Sequence, residues 1–174
     1  RRTRRWGKIA AFVVALVVGS DATAQLAMTR SNFDGAYAAI SIGGGALAAG
    51  APGDFVFTGS LPIGFTFTYN GTNYTTFGAA SDGWMSFTAT GGSGANTALF
   101  TTGAPNATLA AWWDDMNTNP VGTNPVGSIL YQTTGSPGSQ VLTVQWTVSS
   151  YWTVTGGQPR LLNYQVKLYE TTNV

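Results

Sequence analysis

The sequence contains no cysteine and no histidine, and charged residues make up only 9% of its 174 positions. Without cysteine no disulfide framework is possible, which in an exported chain favours a bacterial over an animal source. Without histidine the chain lacks the commonest general base and the commonest metal ligand. The charged fraction is far below the roughly 25% of ordinary soluble domains. A surface that is polar but uncharged is common among secreted β-proteins.

Positive charge is concentrated at the beginning of the chain. Five of the eight basic residues stand in the first eight positions, namely Arg1, Arg2, Arg4, Arg5 and Lys8. After Gln25, three basic residues face six acidic ones, so this part of the chain is net acidic. Because no basic stripe is present to neutralise phosphates, we do not expect nucleic acid to be a partner.

The first 24 residues have the three regions of a secretory signal peptide. A basic region ends at Lys8, an apolar run of eleven residues follows from Ile9 to Gly19, and Ala22-Thr23-Ala24 supplies the small-x-small cleavage pattern. The alternatives are a buried helix or a membrane anchor, but the run is short for a helix that spans a bilayer. We predict a helical signal peptide over residues 1–24, a flexible leader over 25–36 and secretion to the cell surface or beyond.

The stretch from Leu61 to Phe87 reads LPIGFTFTYNGTNYTTFGAASDGWMSF and organises the rest of the chain. Apolar residues alternate with small polar ones from Ile63 to Tyr69, which predicts a strand with one buried face. Asn70-Gly71 suits a tight hairpin turn, and Ser81-Asp82-Gly83 is a second turn signal. Three antiparallel strands with one apolar face need a second layer to cover them.

Further strands are expected on both sides of this meander. Alternation predicts strands over Ile129–Thr133, Val141–Val148 and Leu162–Tyr169. A weak strand is expected over Tyr37–Ser41 and a further strand over Asp54–Thr58. The dense apolar run Leu109–Trp113 predicts a central strand buried on both faces. No segment after Gly19 shows a helical period. The sequence therefore predicts an all-β fold, an antiparallel β-sandwich of jelly-roll or immunoglobulin-like size, over residues 37–174. We expect that domain to continue beyond Val174.

The order and spacing of these motifs resemble a known family. LPIGFTFTYNGTNYTTFGAASDGWMSF, then LAAWWDDM at 109–116, YQTTG at 131–135, VLTVQW at 141–146 and YQVKLYETTN at 164–173 are similar to the nidogen-like β-sandwich region. They resemble still more a group of secreted surface proteins of Bacteroidetes-type bacteria, which often carry a C-terminal secretion-sorting domain. Asp82 stands where that group usually has Asn, and Ala111 where Pro is frequent. The resemblance implies a module of a larger secreted protein.

Asp114 and Asp115 form the one carboxylate pair, and Asn117 follows in an oxygen-rich loop. These three residues are a candidate Ca²⁺ site, because hard cations take about six to eight oxygen ligands. A site of this kind would make the melting temperature sensitive to a chelator. The alternative is a strand end whose aspartates accept backbone N–H bonds in an Asx-type turn. Adjacent strand residues point to opposite faces, and the spacing does not match the D-x-D-x-D-G loop. Apart from possible Ca²⁺, no cofactor is expected.

Acid–base groups are too scarce to predict catalysis. Only six acids follow Gln25, no base is available for a serine nucleophile, and G-x-S-x-G is absent. Most of the tryptophans are expected in the core, and Tyr151-Trp152, at a strand end beside a loop, is the candidate for an exposed ligand-binding patch.

We therefore expect a non-catalytic extracellular or cell-surface module for adhesion, interaction or spacing, whose partner is an extracellular protein or a glycan. The alternatives are a carbohydrate-binding module that uses exposed aromatics and an accessory domain of a secreted hydrolase.

Overall fold

Two antiparallel sheets contain every strand in the part of the chain that the computed structural model describes, residues 37–88, 107–120, 124–150 and 160–171. The strands are β1 (Leu47–Ala48), β2 (Leu61–Tyr69), β3 (Thr72–Ala79), β4 (Trp84–Ser86), β5 (Thr108–Ala110), β6 (Met116–Asn117), β7 (Ser128–Thr134), β8 (Val141–Ser150) and β9 (Leu161–Tyr169). The all-β, two-sheet prediction is confirmed.

Helical structure within the described ranges amounts to one short 3₁₀ turn, Ile42–Gly44. No helix in those ranges is long and apolar enough to cross a bilayer. The predicted signal peptide, residues 1–24, and the predicted leader, residues 25–36, lie outside the described residues.

The first sheet has the strand order β2-β3-β4-β5 and contains the predicted meander. Asn70 and Gly71 join β2 to β3 with φ values of 48° and 75°, the two positive values that a tight turn between twisted strands requires. The register shifts between Pro62 and Phe67, where β2 is irregular. On this sheet Ile63, Phe65 and Phe67 point into the core, as their alternation predicts.

The second sheet has the order β1-β7-β8, with β9 on the other side of β8 and β6 paired to its end. β8 is the central strand: Trp146 lies opposite Ile129 of β7 and opposite Tyr164 of β9. Four alternate side chains of β8 have no solvent exposure and pack into one core with the inner face of the first sheet, namely Leu142, Val144, Trp146 and Val148. The strands predicted over 129–133, 141–148 and 162–169 are confirmed.

Two hydrogen bonds tie the sheets together across this core. The Thr133 hydroxyl of β7 donates to the Ile63 carbonyl of β2 at 2.6 Å. The Trp146 indole N–H donates to the Ala80 carbonyl at 2.8 Å. Both bonds satisfy groups that lie between the layers, where an unpaired polar atom costs free energy.

Three predictions from local pattern are wrong or only partly right. The chain from Leu109 to Trp113 is not a central strand: β5 ends at Ala110 on the edge of its sheet, and Trp112 is 44% exposed. Residues 37–41 are not a strand. Their backbone is bound by side chains instead of a neighbouring strand: Gln145 binds the N–H and the carbonyl of Ile40, and Gln165 donates to the Ala38 carbonyl. Residues 54–58 make only isolated bridges, Asp54 to Asn117 and Phe57 to Ala80.

Trp84 is buried as predicted but lies outside the main core. Its neighbour Met85 points between the sheets, so Trp84 points to the opposite face of β4. There it contacts Phe57 and Trp113, with ring centroids 5.4 and 5.8 Å away. Phe57 lies directly over Gly78, where a Cβ atom would come within 2.2 Å of the ring. The segment before β2 thus covers the outer face of the first sheet with a second aromatic cluster.

The irregular part of β2 allows a direct test of how closely the sheets approach. Gly64 and Gly71 both have positive φ, 95° and 75°, but only at Gly64 would a Cβ atom meet a neighbour, Thr133 at 2.8 Å. Both Gly64→Ala and Gly71→Ala strain the backbone, but only Gly64→Ala also places a methyl group against the other sheet. We therefore expect Gly64→Ala to lower the free energy of unfolding by about 1 kcal/mol or more beyond the loss caused by Gly71→Ala.

Urea unfolding of the two variants beside the parent protein measures this difference. Equal losses for the two variants would contradict the close approach of β2 to β7.

Candidate functional site

The candidate site lies at one end of the sandwich, where the chain crosses from the first sheet to the second. β5 belongs to the first sheet and β6 to the second, so the linker of residues 111–115 spans the gap between them. The turn Ser81-Asp82-Gly83 between β3 and β4 lies against this linker. Tyr164, on the inner face of β9, packs against the same place.

Asp82 holds the linker by its side chain and its backbone. Its carboxylate is 1% exposed, and Oδ1 accepts the Met116 N–H at 3.1 Å. The Asp82 carbonyl accepts the Asp114 N–H at 3.4 Å, and the Gly83 carbonyl accepts the Trp112 N–H at 3.1 Å. Three alternate backbone N–H groups, two in the linker and one at the first residue of β6, are therefore bound to two residues of one turn. A buried carboxylate used in this way acts as a structural clamp.

Gly83 leaves the space that this arrangement needs. Its φ is 89°, and a Cβ atom there would lie 2.7 Å from Trp112 Cβ, 2.7 Å from the Tyr164 hydroxyl and 2.9 Å from the Trp112 carbonyl. A side chain would therefore be strained by the backbone and blocked by its neighbours. In this pair of turn residues, Asp82 supplies the clamp, and Gly83 allows Trp112 and Tyr164 to approach the turn closely.

Three aromatic rings stack from the core outward at this end. Trp146 has no exposure and stacks on Tyr164 with a centroid distance of 5.4 Å and an interplanar angle of 15°. Tyr164 in turn stacks on Trp112, at 6.3 Å and 25°. Of the four tryptophans in the described ranges, Trp112 alone is classed as exposed. The surface indole is thus supported by two rings beneath it.

The Tyr164 hydroxyl is buried and makes no hydrogen bond. Burial raises the pKa of this phenol above its ordinary value, and the negative charge of nearby Asp82 raises it further. Both effects disfavour the phenolate in the folded protein. Tyr164 therefore contributes a ring to the stack and is not prepared to act as a base.

The residues predicted for Ca²⁺ follow the clamp. Asp114 is exposed and its Oδ1 accepts the Asp115 N–H at 2.9 Å, while Asn117 Oδ1 accepts the Asn119 N–H at 2.7 Å. The Asn117 contact, two residues along the chain, is that of an Asx-type turn, whereas the Asp114 contact goes to the next residue. In the described ranges no three carboxylates come together as a metal site. The Ca²⁺ site at Asp114, Asp115 and Asn117 remains a prediction.

Tyr151 and Trp152, predicted as a ligand-binding patch, lie outside the described residues. The chain leaves β8 at Ser150 and returns at Arg160, whose carbonyl accepts the Ser150 N–H at 3.0 Å. The burial expected for most tryptophans is confirmed for Trp84 and Trp146. Sequence reasoning missed the exposure of Trp112 and the burial of Asp82. The burial of Asp82 had a signal in the sequence, because an Asp-Gly turn directly before Trp84 places a carboxylate beside a large apolar side chain.

Two cavities in the described part lack acid–base groups. One, of about 460 Å³, lies between residues 40–52 and the outer face of β7 and β8, with Leu130, Gln145 and Thr147 in its wall. The other, of about 350 Å³, lies beside β3 and β4, and Thr76, Ser86 and Thr88 are among its lining residues. No acidic or basic side chain lines either cavity. Neither offers the groups for proton transfer.

The sequence matches the model of a known protein family. The model of the family described as NIDO related matches residues 28–174, which is most of the chain. No curated protein and no solved structure matches the sequence.

The clamp can be tested by removing its acceptor. We expect Asp82→Ala to lower the free energy of unfolding by about 1 to 3 kcal/mol, because the buried Met116 N–H loses its partner. Asp82→Asn keeps an oxygen at the same place and should cost less. Urea unfolding of both variants measures this, and an Asp82→Ala variant as stable as the parent protein would show that the clamp is unimportant.

The buried phenol predicts a loss of stability at alkaline pH. Folding raises the pKa of the Tyr164 phenol, so above about pH 10 the phenol loses its proton in the unfolded chain while it keeps it in the folded protein. Deprotonation therefore stabilises the unfolded chain, and the free energy of unfolding falls by at most about 1.4 kcal/mol per pH unit. Below that pH the phenol is protonated in both states, and the free energy of unfolding is not reduced. We expect Tyr164→Phe to gain stability relative to the parent protein between about pH 9 and about pH 11.

Urea unfolding at each pH measures this gain. Tyr169→Phe, an exposed position on the same strand, is the control for loss of a surface phenol. Parallel curves for the parent protein and Tyr164→Phe would contradict the burial of the hydroxyl.

Proposed function

Because this chain belongs to the NIDO-related family, we propose that it is a non-catalytic interaction module of an exported protein. Its role is adhesion to a partner outside the cell, which is an extracellular protein or a glycan, or that of a spacer within a larger secreted protein. In this proposal the module forms part of a larger secreted protein, and nucleic acid is not a partner.

The engagement of Asp82 is the observation that carries the proposal. This carboxylate is the most buried acid among the described residues, and its Oδ1 holds a backbone N–H instead of facing a cavity. The chain has no histidine, and the two cavities contain no acid or base. General acid–base catalysis needs a positioned proton donor or acceptor at a reacting group. The lack of acidic and basic residues in these two cavities supports a non-catalytic role.

Export is supported by the sequence. The basic region, the apolar run and Ala22-Thr23-Ala24 fit the three parts of a signal peptide. The scarcity of charge in the remaining chain fits a secreted β-protein. A carbohydrate-binding role is the second candidate, and the observation that favours it is the exposed, stacked indole of Trp112.

One preparation tests export and the absence of catalysis. Produced in a bacterial host, the chain should be recovered outside the inner membrane with Gln25 as its first residue, as measured by mass spectrometry of the intact protein. Purified, it should release no product from chromogenic glycosides and esters.

Replacing Ala22 and Ala24 together by Arg is the control, because cleavage needs small residues at these positions. Unprocessed parent protein in the cytoplasm would overturn export, and turnover of any substrate would overturn the non-catalytic assignment.

A further inference from the structure

Trp112 is an exposed indole that the fold holds in place. Its backbone N–H is bound to the Gly83 carbonyl, and its ring stacks with an offset on Tyr164, which is itself stacked on the fully buried Trp146. Trp112 is nevertheless 44% exposed, so a large part of the residue is open to solvent. A large apolar ring fixed at the surface gives up little conformational entropy when it binds.

Three residues near Trp112 in the chain are small or polar, and they are exposed as well. Ala110 and Ala111 precede it, both exposed and both small. Asp114, two residues further on, is also exposed. A carboxylate can accept several hydrogen bonds, and Asp114 uses one oxygen for the Asp115 N–H. An exposed indole and an exposed hydrogen-bond acceptor therefore stand two positions apart in the chain.

This combination fits one class of ligand. A pyranose ring carries an apolar face of C–H groups, which packs on the electron-rich face of an indole, and hydroxyl groups around its border, which donate to carboxylates. A protein partner would need about 800 Å² of contact on each side. The exposed indole of Trp112 and the exposed carboxylate of Asp114 supply one partner for each of these two parts of a sugar ring.

We propose that Trp112 and Asp114 form a saccharide-binding site, in which the indole stacks on a neutral pyranose unit of a glycan chain and Asp114 accepts its hydroxyl groups. The site rests on the proposed function, and it names the ligand class of that interaction module. Tyr164, which contacts Trp112, and Trp146, which contacts Tyr164, are positioning residues, and neither contacts the sugar.

Affinity electrophoresis in native gels that contain xyloglucan, mannan or laminarin tests the site. We expect at least one of these neutral polysaccharides to retard the parent protein. Trp112→Ala should bind at least about tenfold more weakly, as expected when a central aromatic contact is lost. Trp112→Tyr keeps a ring for stacking and should retain part of the binding. Tyr169 is another exposed aromatic residue, at the far end of β9, and Tyr169→Ala should bind as the parent does.

A second measurement on the unaltered protein does not depend on the folding of a variant. The retarding polysaccharide should protect Trp112 from oxidation by N-bromosuccinimide, as read by mass spectrometry of its peptide. No retardation by any of the three polysaccharides, or equal retardation of the parent protein and Trp112→Ala, would overturn the saccharide site and leave the non-catalytic assignment standing. Cleavage of a polysaccharide by the protein would overturn that assignment instead.

Discussion

A carboxylate without solvent contact holds the two layers of this protein in register at one end. Asp82 belongs to a turn of the first sheet, and its acceptor atom binds the backbone of β6 in the second. An acid in such a position is stable only when hydrogen bonds replace the water that it has lost. The Asp82 and Gly83 carbonyls bind the preceding part of the linker, so the crossing between the sheets is fixed at alternate residues.

The aromatic stack follows from this constraint. Because Gly83 has no Cβ atom, Trp112 and the Tyr164 hydroxyl can lie within 3 Å of the place where that atom would stand. The pairing of β8 with β9 places Tyr164 opposite Trp146. The rings then continue the core to the surface without a gap. Stacking on Tyr164, which itself stacks on Trp146, holds the exposed Trp112 side chain in place. For this reason Trp112 is the centre of the interaction that we propose for the module.

Much of the fold could be predicted because its signals are local. The alternation from Ile63 to Tyr69, the turn at Asn70-Gly71 and the alternation along β8 and β9 each depend on a few neighbouring residues. The meander and the three later strands were therefore correct. The strand predicted at Leu109–Trp113 was wrong because a dense apolar run does not reveal where a chain leaves its sheet, and here it leaves after Ala110 to reach the other one.

The candidate site was largely beyond reach of the sequence. Trp112 and Trp113 are adjacent and chemically identical, yet one stacks on Tyr164 at the surface and the other contacts Trp84 on the outer face of the first sheet. Their difference depends on partners 52 and 29 positions away along the chain. The sequence by itself determined an all-β class, the turns and the scarcity of acid–base groups, because these follow from side-chain periodicity, backbone preference and composition. Only the tertiary structure decided that Asp82 is buried as a clamp and that Trp112 faces solvent, because both depend on which distant strands the two sheets bring together.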